Sequence, residues 1–113
     1  MTDRELVRQA VEIISQKKGE ESVIVDLGDV SMPASYFVIA EADNPVHAKA
    51  LVTALREQLP ETPLHSEGLA ERKWIVLDYG DVVVHIFDRE ARAFYDLDSL
   101  WADHIVALAT LAE

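Results

Sequence analysis

Cysteine is absent from this chain, which removes a disulfide framework, a thiolate zinc site and a Cys nucleophile together and leaves nothing that points to an oxidising compartment. Glycine is scarce: the four residues, at positions 19, 28, 68 and 80, are too dispersed to cradle a phosphate, and no P-loop, GxGxxG, HExxH or GxSxG pattern occurs. His47, His65, His85 and His104 make no helical pair and have no neighbour at metal-ligand spacing, so no cofactor or metal is expected. No run approaches the ~20 apolar residues of a membrane span, and the opening Thr2-Asp3-Arg4-Glu5 leads into no apolar segment of signal-peptide length. A cytoplasmic protein without membrane contact is the expectation.

Positive charge is also in short supply. Lys and Arg number 10 against 21 Asp and Glu, a formal net charge of -11. A chain of that sign gains nothing from counterion release on a phosphate backbone, so nucleic acid is not expected as the main contact, and a basic protein partner is favoured. After Arg92 no Lys or Arg follows, while Asp96, Asp98, Asp103 and Glu113 do. Such charge can steer encounter with a positive surface, although solubility alone would also account for it.

What is present centres on Trp74–Phe87. Two alternating apolar runs meet at Gly80-Asp81, a two-residue connection of the kind that closes a tight hairpin. Counting outward from that turn pairs Tyr79 with Val82, Asp78 with Val83, Leu77 with Val84, Val76 with His85, Ile75 with Ile86 and Trp74 with Phe87. One face then carries Ile75, Leu77, Tyr79, Val82, Val84 and Ile86, suited to a core. The other carries Trp74, Val76, Asp78, Val83, His85 and Phe87, a carboxylate and an imidazole set among large apolar groups. A solvated face would show Lys, Glu, Thr and Ser, so this one is either covered by another element of the chain or kept for a partner.

The remaining chain supplies a frame for that hairpin. Thr2-x-x-Glu5 has the form of a capping box, and Leu6, Ala10, Ile13 and Ile14 recur at helical spacing up to Lys17-Lys18-Gly19. Val23–Leu27 and Tyr36–Ala40 are short runs that read as strands. Asn44-Pro45 caps a second helix whose buried stripe includes Leu51, Ala54, Leu55 and Leu59, ending at Pro60. Leu64-His-Ser reads as a brief edge strand. Beyond the hairpin, Phe94, Leu97, Trp101, Ile105 and Leu108 fall at helical spacing and predict one last helix to the C-terminus, with Phe94 and Trp101 in the core. The order α-β-β-α-(β)-β-β-α predicts an α/β (α+β) fold, a small single mixed sheet with flanking helices. At 113 residues the chain is expected to form a single domain, 1–113, able to bury a core unaided.

One enzyme reading is available: Asp26, Asp78 and Asp81, on or beside strands, could converge on a divalent cation for nucleotidyl transfer. The Gly-Ser loop and the paired Asp-x-Asp on one strand that this chemistry usually shows are missing. A third reading is a dimerisation module whose apolar face pairs with itself.

Specific blocks go further. Asp26, Tyr36-Phe-Val-Ile39, Glu67-Gly68, the hairpin Trp74-x-x-Leu77-Asp-Tyr-Gly-Asp-Val-Val-Val-His-Ile-Phe87 and Arg92-x-Phe94-Tyr-Asp-Leu-Asp98 with Leu100-Trp101 together resemble the Iojap family of ribosomal silencing factors, called RsfS in bacteria. The resemblance runs through essentially the whole chain in order. It implies a nucleotidyltransferase-like topology without the catalytic motifs, and therefore no enzyme activity. It further implies binding to the large ribosomal subunit through a basic ribosomal protein, protein fourteen, on the intersubunit face. Blocking the joining of the two subunits would repress translation under nutrient limitation, and large-subunit maturation can also be affected.

On this basis the partner-binding residues are expected to be Trp74, Val76 and Phe87 as apolar contacts and Asp78 as a charge-assisted one, with His85 on the same face and Tyr95 and Asp96 beside it. Tyr79 is assigned to the core. The sequence departs from the family pattern at Ser35, where Asp commonly precedes Tyr-Phe, at Ala40-Glu-Ala-Asp-Asn-Pro45, and at His47, where Gln is commoner. No role is carried over to that loop.

Overall fold

The computed structural model describes residues 2–111. Helix α1 (Asp3–Gln16) starts where the Thr2 hydroxyl oxygen accepts the Glu5 N–H at 3.1 Å, the N-cap half of the expected capping box, while the Glu5 carboxylate accepts from the Thr2 hydroxyl at 3.2 Å. At its other end Lys18, with φ 64°, takes the left-handed conformation. Gly19 serves close approach instead, since a Cβ there would collide with the Ile14 side chain.

Strand β1 (Glu20–Asp26) carries a bulge between Glu20 and Val23 and runs antiparallel to β2 (Tyr36–Ala42). Helix α2 (Pro45–Gln58) follows, capped as expected by Asn44, whose side chain accepts the His47 N–H at 2.8 Å. Then come β3 (His65–Glu67), β4 (Trp74–Asp78) and β5 (Val82–Asp88). The hairpin register is the one obtained by counting, from Trp74 opposite Phe87 to Asp78 opposite Val83. Its turn depends on Gly80, at φ 97°, and on Asp78, whose Oδ1 accepts the Gly80 N–H at 2.8 Å; both features fit a chain reversal that an ordinary side chain would strain.

All strands join one mixed sheet in the order β3-β4-β5-β2-β1-β6, where β6 (Ile105–Val106) pairs antiparallel with β1, and β2 with β5 is the parallel pair. Helices α1 and α2 cover one face. There Ile75, Leu77, Tyr79, Val82, Val84 and Ile86 pack with Leu6, Ile14, Leu51 and Leu55 in the main core, which confirms the face assigned to the core and the place of Tyr79 in it.

The segment after the hairpin departs from the single helix that its spacing predicts. Helix α3 (Arg89–Tyr95) stops at Asp96, which adopts a left-handed φ of 48°, and a short helix α4 (Leu97–Leu100) restarts beyond it. Asp96 also caps that restart, since its side chain accepts from the Ser99 N–H. The reason for the break lies in Arg92. Its guanidinium reaches Asp98 at 2.9 Å and the Glu21 carbonyl at 2.8 Å, and residues six apart on one continuous helix would point in different directions. The β-branched pair Ile105 and Val106 then completes the sheet margin instead of a helix. Phe94, expected in the core, is 79% exposed. Trp101 is partly buried and packs with Leu97 on a second, smaller cluster built on Val25, Leu27, Ile39 and Phe87.

Candidate functional site

The hairpin face opposite the main core is covered along only part of its width. Over β1, β2 and β5 the α3–α4 segment closes it through Leu97 and Trp101. At β4 the cover ends. Strand β3 pairs only with Val76, Leu77 and Asp78, so Trp74 lies past its end, flanked by the turn from Gly68 to Arg72. That turn passes so near that a Cβ on Gly68, which sits at φ 78°, would overlap the Trp74 carbonyl oxygen.

The half-buried Trp74 side chain is held on three sides. Its indole stacks on Phe87 with ring centres 4.9 Å apart at 29°, meets Tyr95 of α3 at 4.6 Å, and donates its Nε1–H to His85 Nδ1 at 3.1 Å. Phe94 stands edge-on to Tyr95 at 5.0 Å. Stacked and edge-on aromatic contacts of this kind add about 1 kcal/mol each beyond the area they bury. Between this aromatic group and the 68–73 segment runs a groove of about 680 Å³, lined among others by Leu69, Lys73, Trp74, Ala91, Phe94 and Tyr95. Glu71, Asp88 and Glu90 border it as well, so its rim is mostly acidic.

Burial lowers the pKa of His85 to about 4, because an imidazolium would lose its hydration inside an apolar layer. The ring is therefore neutral near pH 7. With Nδ1 accepting from the indole, the proton belongs on Nε2, a buried atom without a hydrogen-bond partner among the described residues. Burial also pushes the Tyr79 hydroxyl, on the core side, up to about 12.

Among the described residues no three His, Asp or Glu side chains come together as a metal site would need. Two of the three carboxylates of the enzyme reading are used locally: Asp26 accepts the Gly28 N–H at 2.9 Å and Asp78 the Gly80 N–H at 2.8 Å. What the site offers is an aromatic surface for contact.

Comparison with known proteins decides the family. The model of the family described as "Ribosomal silencing factor during starvation" matches residues 1–112. The chain belongs to that family. It is 32% identical over 106 residues to the ribosomal silencing factor RsfS of Halalkalibacterium halodurans, covering 91% of each chain. A crystal structure of a Chromobacterium violaceum protein superposes with a TM-score of 0.83 at 27% identity, covering 90% of this chain and 88% of that one. More distantly, the mouse protein named "Mitochondrial assembly of ribosomal large subunit protein 1" is 25% identical over 97 residues, 80% of this chain and 42% of its own length.

Within this silencing-factor fold the residues singled out from sequence separate by depth. Trp74, Val76 and Asp78 are half-buried on the open part of the face, and Tyr95, 50% exposed, joins them by packing against Trp74 with the rings tilted at 47°. Two assignments need correction. Phe87 is 1% exposed and His85 6%, because Trp74, Tyr95 and Phe37 lie over or against them; neither ring has surface to give a partner, and both support Trp74 from beneath. Asp96 is exposed and serves the helix junction through Ser99. Phe94, which helical spacing places in the core, and Leu100 stand at the surface with 79% and 69% exposure. The available signal was Arg92 and Asp98, six residues apart, with Asp96 and Ser99 in N-cap spacing between and after them.

Proposed function

We propose that this silencing factor binds the large ribosomal subunit through a basic ribosomal protein, protein fourteen, at the intersubunit face, and that by occupying it the chain blocks joining of the small subunit and represses translation when nutrients are scarce. The observation that carries this reading is the open Trp74–Tyr95 aromatic pair on a chain of net charge -11. Aromatic anchors on a preformed surface supply most of the energy of a protein contact, while acidic charge favours a basic partner and speeds encounter. The family description names starvation, and the mouse relative's name refers to the large ribosomal subunit. Steric competition needs no chemical step, in keeping with a single non-enzymatic domain acting in the cytoplasm.

The groove and its aromatic wall form the contact in this scheme. Trp74, Tyr95 and Val76 give apolar area, Phe94 extends it, and Asp78 offers Oδ2 to a cation or hydroxyl, its Oδ1 being committed to the turn. Sedimentation of purified large and small subunits tests the proposal. Wild-type protein is expected to travel with the large subunit and reduce joined ribosomes. A Trp74→Ala, Tyr95→Ala double variant, shown to be folded by circular dichroism, should bind at least about 30-fold more weakly, as loss of hot-spot side chains implies. A wild-type chain that neither binds nor hinders joining would overturn the reading, and concentration-dependent dimerisation burying Trp74 would then favour self-association.

A further inference from the structure

We infer that His85 is a positioning residue, its Nδ1 lone pair holding the Trp74 indole in the orientation in which it stacks on Phe87 and meets Tyr95, so that a partner meets a ring already ordered. The purpose assigned to that order rests on the ribosome-binding reading; the hydrogen bond does not.

The position of His85 is otherwise apolar. Ile39 lies beside it on β2 and Val76 on β4, and Phe37 stands edge-on at 4.6 Å. Packing alone would be served by another ring or an aliphatic side chain. A histidine here leaves Nε2 buried with no hydrogen-bond partner among the described residues, a desolvation cost that apolar packing never incurs. One compensating contact is visible, the indole N–H at 3.1 Å from Nδ1. That bond and the stack act on different parts of the same ring. Stacking on Phe87 at 29° sets the plane of the indole but allows it to turn within that plane; the directed N–H bond removes the turn. Because burial keeps the imidazole neutral near pH 7, the acceptor stays available there. A partner then has no rotamer freedom of Trp74 left to freeze.

Two measurements on the intact chain test this. Nitrogen-15 NMR, with the Trp74 indole distinguished from that of Trp101 by a Trp101→Phe variant, is expected to show scalar coupling between Trp74 Nε1 and His85 Nδ1 and a proton on Nε2. A proton on Nδ1, or a Trp74 N–H exchanging as fast as in a free indole, would overturn the assignment whatever the ribosome assay gives. The His85→Phe variant keeps an aromatic ring and removes the acceptor. It should increase Trp74 side-chain mobility in fluorescence anisotropy decay and weaken large-subunit binding about three- to tenfold, the cost of ordering one such side chain. His85→Asn, which returns an acceptor near the Nδ1 position, should recover part of both. Unchanged mobility and affinity in a folded His85→Phe chain would refute the role. If wild type failed to bind the subunit, the functional reading would fall, and the NMR result would still decide the hydrogen bond.

Discussion

At His85 the folded chain holds an imidazole whose pKa is lowered by burial from 6.5 to about 4. The unfolded chain takes up this proton below about pH 6.5 and the folded one only near pH 4, so stability is full above the unfolded value and falls as the solution is acidified between the two. Denaturant unfolding at pH 7 and pH 5 should therefore differ by roughly 2 kcal/mol on account of this residue. In His85→Phe that part of the pH dependence should vanish, and an unaltered difference would place its origin elsewhere. The same residue shows what single positions reveal in a sequence. Parity along the hairpin put Trp74, His85 and Phe87 on one face, and it did so correctly. Parity carries no information about depth. Phe87 is sealed because Tyr95, from another element, lies over it beside Trp74, and no local pattern encodes that.

Among the elements, the α3–α4 segment is where sequence periodicity misled. Phe94, Leu97, Trp101, Ile105 and Leu108 fit a helical repeat, yet the turn at Asp96 sends Phe94 outward and Leu97 inward. Long-range polar contacts override local spacing here. Arg92, 8% exposed, binds both oxygens of Asp98, at 3.2 and 2.9 Å, and the Glu21 carbonyl exposed by the β1 bulge, and it approaches Glu41 at 3.9 Å. Replacing it with Leu would strand the half-buried Asp98 and leave the buried Glu41 to Arg89, which contacts it at 3.3 Å. Arg92→Leu is accordingly expected to destabilise the fold by about 3 kcal/mol or more, read as a lower urea midpoint, and to loosen Tyr95 from Trp74, read as a change in Trp74 emission. A neutral outcome would mean that apolar packing of Leu97 and Trp101 holds the segment unaided. By contrast α1, α2 and the hairpin were legible, since each carries its own cap or turn within a few residues: Thr2 with Glu5, Asn44 with Pro45, and Asp78 with Gly80. Strand β6 was not, because two residues acquire strand geometry only from the neighbour they join.

On the scale of the whole molecule, the excess of acidic groups predicts how association responds to salt. Raising ionic strength from about 0.05 to 0.5 M shortens the screening length, so the association rate with large subunits should fall several-fold while the dissociation rate changes little. Stopped-flow mixing would separate the two, and a salt-independent association rate would remove charge steering from the scheme. Fold class and the single mixed sheet were legible from the chain as a whole, as the family structures bear out. Among the described residues no helix is long and apolar enough to cross a membrane.

The margins of the sheet have a consequence of their own. One is a strand of three residues, the other a strand of two. Short margins give an incoming β-segment almost no ladder to copy. A molecule that displays tryptophan, tyrosine and phenylalanine to water would otherwise be a ready seed for fibrous polymers. Here stickiness is carried by side chains while the outermost strands offer only two and three residues of ladder, so crowded molecules can collide through their rings and still come apart.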